Sequence, residues 1–264
     1  MNMKITLRYI HLLGVISFLL FNSCGNGQVS EEEEQGDKAL QLVDEKSLPM
    51  DQRIKTYVER KIGIPADENY QMEVFEEHLN DDGVKDVIIT VNRLEHAIDA
   101  MAKTNRTTKA AQIGFFGQYN YFIYYSSKTN SFSEPFITAS TPQRKLNITF
   151  VNLSSDSHKD ILVDYAIRNS QFRRVYLMLD DVPSYAFQWK LYDGWGTPSI
   201  ESYCFDFGPG YRSKVKDIII NKGDMKNIGP EQNYDVEVPE ITCTNELVKR
   251  FFFNEADRKY YTPN

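Results

Sequence analysis

Lys85-Asp86-Val87-Ile88-Ile89 recurs in this chain as Lys159-Asp160-Ile161-Leu162-Val163 and again as Lys216-Asp217-Ile218-Ile219-Ile220. Each copy is a Lys-Asp pair opening an aliphatic, mostly β-branched run, the pattern of a polar loop that feeds a buried strand. The copies begin 74 and 57 residues apart. A second pattern keeps a similar period: Phe122 to Pro135 reads as a hairpin with a polar turn, and Arg250 to Pro263 has the same layout. The two hairpins lie 128 residues apart, against 131 for the first and third Lys-Asp pairs, so whole units repeat and not only short strings.

Working outward, three units are expected at about 70–140, 146–198 and 199–264, each an incoming strand, a polar loop, the Lys-Asp strand and a hairpin. A four-stranded antiparallel sheet is a propeller blade, and stacked blades bury the faces that one blade leaves exposed. Three units are fewer than the roughly four blades of the smallest closed propellers. The expected fold is therefore mainly β, an open or partial β-propeller-like array of antiparallel blades with a short N-terminal helix. The alternative is a single antiparallel β-sandwich in which the Lys-Asp strings are coincidental. The helix is read from Asp51 to Ile62, where Ile54, Val58 and Ile62 are spaced four apart beside Tyr57 before Gly63 and Pro65 stop the pattern. It is expected to pack on the strands as a lid. A second helix is expected from Leu94 to Met101, where Leu94, Ala97, Ile98 and Met101 share one face.

Composition narrows the class. With 264 residues, 41% hydrophobic and 13% aromatic, the chain holds enough apolar surface for a sizeable core, which excludes a disordered, collagenous or disulfide-scaffold protein. A net charge of -7 argues against nucleic acid as a partner, because phosphate-neutralising domains concentrate basic residues on one face. Lys4 and Arg8 precede an apolar run from Tyr9 to Phe21, too short to span a membrane but suited to a signal-peptide core over 1–23. The run ends at Phe21-Asn22-Ser23-Cys24-Gly25. A small residue before a cysteine at that place resembles the lipobox of bacterial lipoproteins, with Phe21 and Asn22 standing where that pattern has Leu and a small residue. The resemblance implies lipidation of Cys24 and attachment to the membrane through an N-terminal lipid; the other reading is an ordinary secretory peptide. Residues 24–46, with Glu31–Glu34, form an acidic tether expected to be disordered, ahead of a β-repeat domain over 47–264. That acidic run resembles the export signal of outer-membrane lipoproteins that reach the cell surface, or else is a plain solvated linker.

The loop before the first Lys-Asp strand is His78-Leu79-Asn80-Asp81-Asp82-Gly83-Val84-Lys85-Asp86. It resembles the Asp-x-Asn-x-Asp-Gly-x-x-Asp loop of FG-GAP and VCBS-type blade repeats, in which alternate oxygens surround calcium. Calcium requires six to eight oxygen ligands, and alternate side chains on a tight loop point inward together. The resemblance implies a calcium set of Asn80, Asp82 and Asp86, with His78 where the family has its first aspartate. In the second loop the corresponding set is Asn152, Asp156 and Asp160, with Ser154 between them and Ser157 in place of the glycine. The third loop, from Phe207 to Asp217, retains turn residues without the acidic ligands. Such loops also stand as metal-free turns closed by Asn and Asp side chains.

Once Cys24 carries lipid, Cys204 and Cys243 remain, an even pair that export favours as a disulfide; two separate buried thiols are the other reading. Gly-x-Ser-x-Gly, phosphate-loop and His-Glu-x-x-His signatures are missing from the sequence. His78 and His158 occupy equivalent loops and are candidates for a transition-metal pair, against the commoner reading as turn histidines. Trp189, Tyr192 and Trp195 crowd a stretch with Asp-Gly and Trp-Gly turns that would display rings for stacking on a sugar, unless they belong to the core. These readings lead to an expectation: a lipid-anchored binding or scaffold module of the bacterial outer membrane, periplasmic or surface-exposed, not an enzyme. Its partner would be an envelope protein or a glycan, with a carbohydrate-capturing lipoprotein as the alternative.

Overall fold

Strands begin where the Lys-Asp pairs end. Asp86, Asp160 and Asp217 are each the first residue of a strand, β2 (Asp86–Asn92), β7 (Asp160–Ile167) and β11 (Asp217–Met225). The computed structural model describes residues 47–104, 116–225 and 237–262, all within the compact unit Glu45–Asn264. The segments read as a signal peptide and an acidic tether, with Cys24, lie outside the described residues. In chain order the elements are α1 (Met50–Ile62), β1 (Gln71–Glu77), β2, α2 (Leu94–Lys103), β3 (Gly117–Ser126), β4 (Ser131–Phe132) and β5 (Phe136–Ser140). They continue as β6 (Asn147–Val151), β7, β8 (Ser170–Leu179), β9 (Val182–Asp193), β10 (Glu201–Gly208), β11, β12 (Ile241–Asn254) and β13 (Lys259–Tyr261).

The architecture is mainly β, antiparallel throughout, and not closed into a barrel. One sheet has the order β1-β2-β3-β4, with β5 also paired to β3; the other runs β13-β12-β11-β10-β9-β8-β7-β6. Between β9 and β10 the pairing is Glu201 with Asp193 and Ser202 with Tyr192 alone, so the long sheet divides there into β6–β9 and β10–β13. The two hairpins read as equivalent turn in the same way: Asn130 in β3–β4 and Arg258 in β12–β13 both have φ 55°. Left-handed backbone is uncommon for any residue with a Cβ, and its recurrence 128 positions on marks a shared turn geometry.

Alternation along the strands decides what packs on what. Val87, Ile89 and Val91 of β2 join Ile54, Tyr57 and Val58 of α1 in one apolar cluster. Ile88, on the opposite face, joins Phe122 and Tyr124 of β3 and Ile161, Val163 and Tyr176 of β7 and β8. The alternate residues of β7 and β8, Leu162, Val175 and Leu177, pack with Ala186 and Phe187 against Ile218, Ile220, Phe251 and Tyr260. Strands β2 and β7 are thus covered on both faces and nearly every residue is buried, whereas β11 is covered on one. Helix α1 ends at Gly63, whose φ of 67° carries the chain into a left-handed cap bonded to Glu59 O.

Candidate functional site

The loops that precede β2, β7 and β11 are organised around the three aspartates, each buried to 0% exposure. Asp86 accepts from Asn80 Nδ2 at 2.8 Å, from the Tyr124 hydroxyl at 3.1 Å and from Ser127 N at 2.9 Å. Asp160 accepts from Leu153 N, Ser154 N, the Ser154 hydroxyl and Met178 N, all within 2.6–2.8 Å. Asp217 accepts from Tyr211 N and from Arg250, whose Nη2 lies 2.7 Å away. In every case the carboxylate closes its own loop and fastens it to the strand that follows its own. Burial pushes the Asp86 carboxyl above the usual aspartate range; Ser127 N–H and Tyr124 pull it back, and Asp82 and Asp181 add to the rise.

Consecutive loops also bond to each other. Lys159 N donates to His78 O and Lys216 N donates to Leu153 O, both at 2.9 Å. Because His78 and Leu153 are neighbouring positions of equivalent loops, the same backbone contact is made twice. The first junction has a side-chain bridge as well: His158 Nδ1 lies 3.0 Å and the Ser157 hydroxyl 2.5 Å from Asp81 Oδ1. Those two bonds hold the Asp81 carboxyl below its usual range. His158 Nε2 is 3.2 Å from Ser154 Oγ, which completes an Asp-His-Ser series. The Ser154 proton, however, goes to Asp160 at the shorter 2.7 Å, so this hydroxyl caps a buried carboxylate and is not poised for transfer to the imidazole. His78 meets the second loop through its carbonyl, and His158 pairs with Asp81.

The residues proposed for calcium are placed unequally. In the first loop Asn80 and Asp86 bond to each other, Asn80 Oδ1 accepts from Asp82 N, and Asp82 Oδ1 accepts from Val84 N. Asp82 Oδ2 is buried and has no hydrogen-bond partner among the described residues. In the second loop the side chains diverge, with Asp160 at 0% exposure and Asp156 at 96% beside Lys216, while Asn152 bonds to the carbonyls of Asp156 and His158. Among the described residues no group of three His, Cys, Asp or Glu side chains gathers as a metal centre.

The aromatic trio is corrected by burial. Tyr192 and Trp195 are each 1% exposed and stack edge-on at 5.9 Å, so neither presents a ring to solvent. Trp189 packs against Phe187, Tyr203 and Phe251. The reason is tertiary: Arg144 donates to the Tyr192 hydroxyl, and Met225 from β11 closes over the pair, so the turn folds inward and not out. Cys204 of β10 and Cys243 of β12 are joined across β11, with Cα atoms 5.6 Å apart. Sequence reasoning missed Asp81, Ser127 and Arg250, since nothing local to a serine or an arginine announces a partner some 33–77 residues distant.

No family model, curated protein or solved structure matches this chain.

Proposed function

We propose that the chain is a lipid-anchored module of the bacterial cell envelope that binds or scaffolds a partner, built as three antiparallel blade-like units, about 70–140, 146–198 and 199–264, with α1 laid over the first. The observation that carries this reading is the thrice-repeated buried aspartate, with the second and third loops each bonded to the loop of the unit before. A device repeated in this way supports a stack whose polar interior serves cohesion, leaving the outer surfaces for recognition. The lipobox-like Cys24 supports the anchor, and the chain is read as non-enzymatic. A partner protein or glycan, not nucleic acid, fits the acidic net charge. The test is fractionation: wild type should partition with the outer membrane and Cys24→Ala should be released to the soluble fraction. Retention of Cys24→Ala in the membrane would sink the anchor, and turnover of any substrate lost on mutating specific acidic side chains would sink the non-enzymatic reading.

A structural calcium in the first loop is a second proposal, favoured by the partnerless buried Asp82 Oδ2 and by the closeness of Asp82 and Asp181 to Asp86. Asn80, Asp82 and Asp86 would supply its oxygens. With few acidic ligands the affinity belongs at the weak extracellular end, about 10⁻⁴ to 10⁻³ M. Saturation at a few times that concentration then stabilises by about 1 kcal/mol. Thermal melts of the full chain with millimolar calcium should exceed those with chelator, and Asp82→Ala should abolish the difference; identical melts would leave the loop a turn.

A further inference from the structure

The third four-stranded part, β10–β13, leaves one face uncovered. Ile219 of β11 lies on the face away from β7–β9, the side on which the equivalent Ile88 of β2 is buried against β7 and β8 and the equivalent Leu162 of β7 against β11. Register places Arg250 opposite Ile219, where Tyr124 and Val175 stand opposite Ile88 and Leu162. A guanidinium at that position ends the stack, since a further apolar layer would have to bury it.

On this face lies a cavity of about 460 Å³ lined by Arg212, Phe252, Asn254, Glu255 and Tyr261 among others, within the roughly 300–1,000 Å³ of small-ligand sites. Phe252 and Tyr261 are cross-strand partners, and Tyr261 is 50% exposed. Arg212 lies over the Phe252 ring at 5.1 Å, and Arg250 lies over the same ring at 5.7 Å. Glu255 stands exposed on the same lining. The exposed Tyr261 ring, the Arg212 fork of donors and the Glu255 carboxylate acceptor therefore line one cavity. Adjacent hydroxyls of a sugar ring need both a donor and an acceptor, while the sugar's apolar face stacks on an aromatic. An anionic ligand would meet Glu255 and a chain of net charge -7.

We propose that this cavity is a binding site for a neutral saccharide, stacked on Tyr261 and held through its hydroxyls by Arg212 and Glu255. It rests on the reading of the chain as a binding module and names the ligand class. The test is an array of neutral glucose and N-acetylglucosamine oligomers beside uronate oligomers, probed with the full chain in detergent, followed by calorimetry with the neutral oligomer that binds best. Binding should weaken about tenfold or more in Tyr261→Ala and in Arg212→Ala, side chains exposed enough to be removed without unfolding, and be unchanged in Lys145→Ala. Sugar ring protons should show nuclear Overhauser contacts to the Tyr261 ring. Absence of neutral-oligomer binding, preference for the uronates, or binding indifferent to both variants would overturn the site. Membrane fractionation of Cys24→Ala reports separately, so loss of this site is distinguishable from loss of the anchored-module reading.

Discussion

Asp160 is bonded to three backbone amides and one hydroxyl while fully buried. Replacing it by alanine strands those donors, each at about 1–3 kcal/mol. Asp160→Ala should therefore unfold at much lower denaturant than wild type, and Asp160→Asn, which keeps one acceptor oxygen, should fall between them; equal midpoints for the two variants would contradict the capping role. A second residue-scale prediction concerns Glu68, which pairs with Arg93 where both side chains are 8% exposed, with His96 Nδ1 3.3 Å away. The hydrogen bond from Arg93 holds the Glu68 carboxyl below its ordinary value of 4.5, and burial opposes this. A carboxylate lowered in the folded state contributes its stability above the unfolded value and loses it as pH falls through the folded one. Stability should thus decline below about pH 4.5, and Glu68→Gln should cost about 3–5 kcal/mol at neutral pH by leaving Arg93 buried and unpaired. Urea melts at pH 7 and pH 3 check this, because the difference between variant and wild type must shrink in acid.

At the scale of elements, β2, β7 and β11 begin alike but are not covered alike. Ile88 and Ile219 both stand two residues after the aspartate; Ile88 is sealed between layers and Ile219 is only half-buried on the open face. Ile88→Ala should cost about 2–5 kcal/mol, because a cavity remains in a packed interior. Ile219→Ala should cost less than half as much, and equal losses in chemical denaturation would mean that the face is covered. Strand type and start were legible here, since a Lys-Asp pair followed by aliphatic residues states the transition from loop to strand. The register was not, as the split of the first sheet's edge into β4 and β5 depends on pairing with β3. Helix α2 differs from its amphipathic pattern in burying Ala97 while Ile98 stays 49% exposed, because only one side of it meets the sheet.

Over the whole molecule, cohesion comes from contacts between parts far apart in sequence. Turn residues form a line of ion pairs, Lys128 with Asp181 and Arg258 with Asp180, but these are exposed and contribute little. The backbone bonds between loops and the apolar clusters carry more of the energy, and the Cys204–Cys243 bridge constrains the last part across a sequence separation of 39. Changing both cysteines to serine should lower unfolding free energy by about 2–4 kcal/mol. The effect should match that of reducing agent on wild type, and reductant should not shift the double variant; a wild-type midpoint insensitive to reductant would argue against the bridge.

The sequence by itself determined what is local: the strands that follow Lys-Asp, the turns that recur 128 residues apart and the helix that stops at Gly63. Period-two alternation and turn chemistry act over a few residues, so they can be read without knowing the neighbours. Tertiary structure alone decided which face each strand buries, that Tyr192 and Trp195 turn inward beneath Arg144 and Met225, and which donors surround the buried Asp86, Asp160 and Asp217. A carboxylate in a polar loop has the same local sequence whether it meets an amide, an arginine or an ion. Its role follows from which donors the rest of the chain brings within about 3 Å.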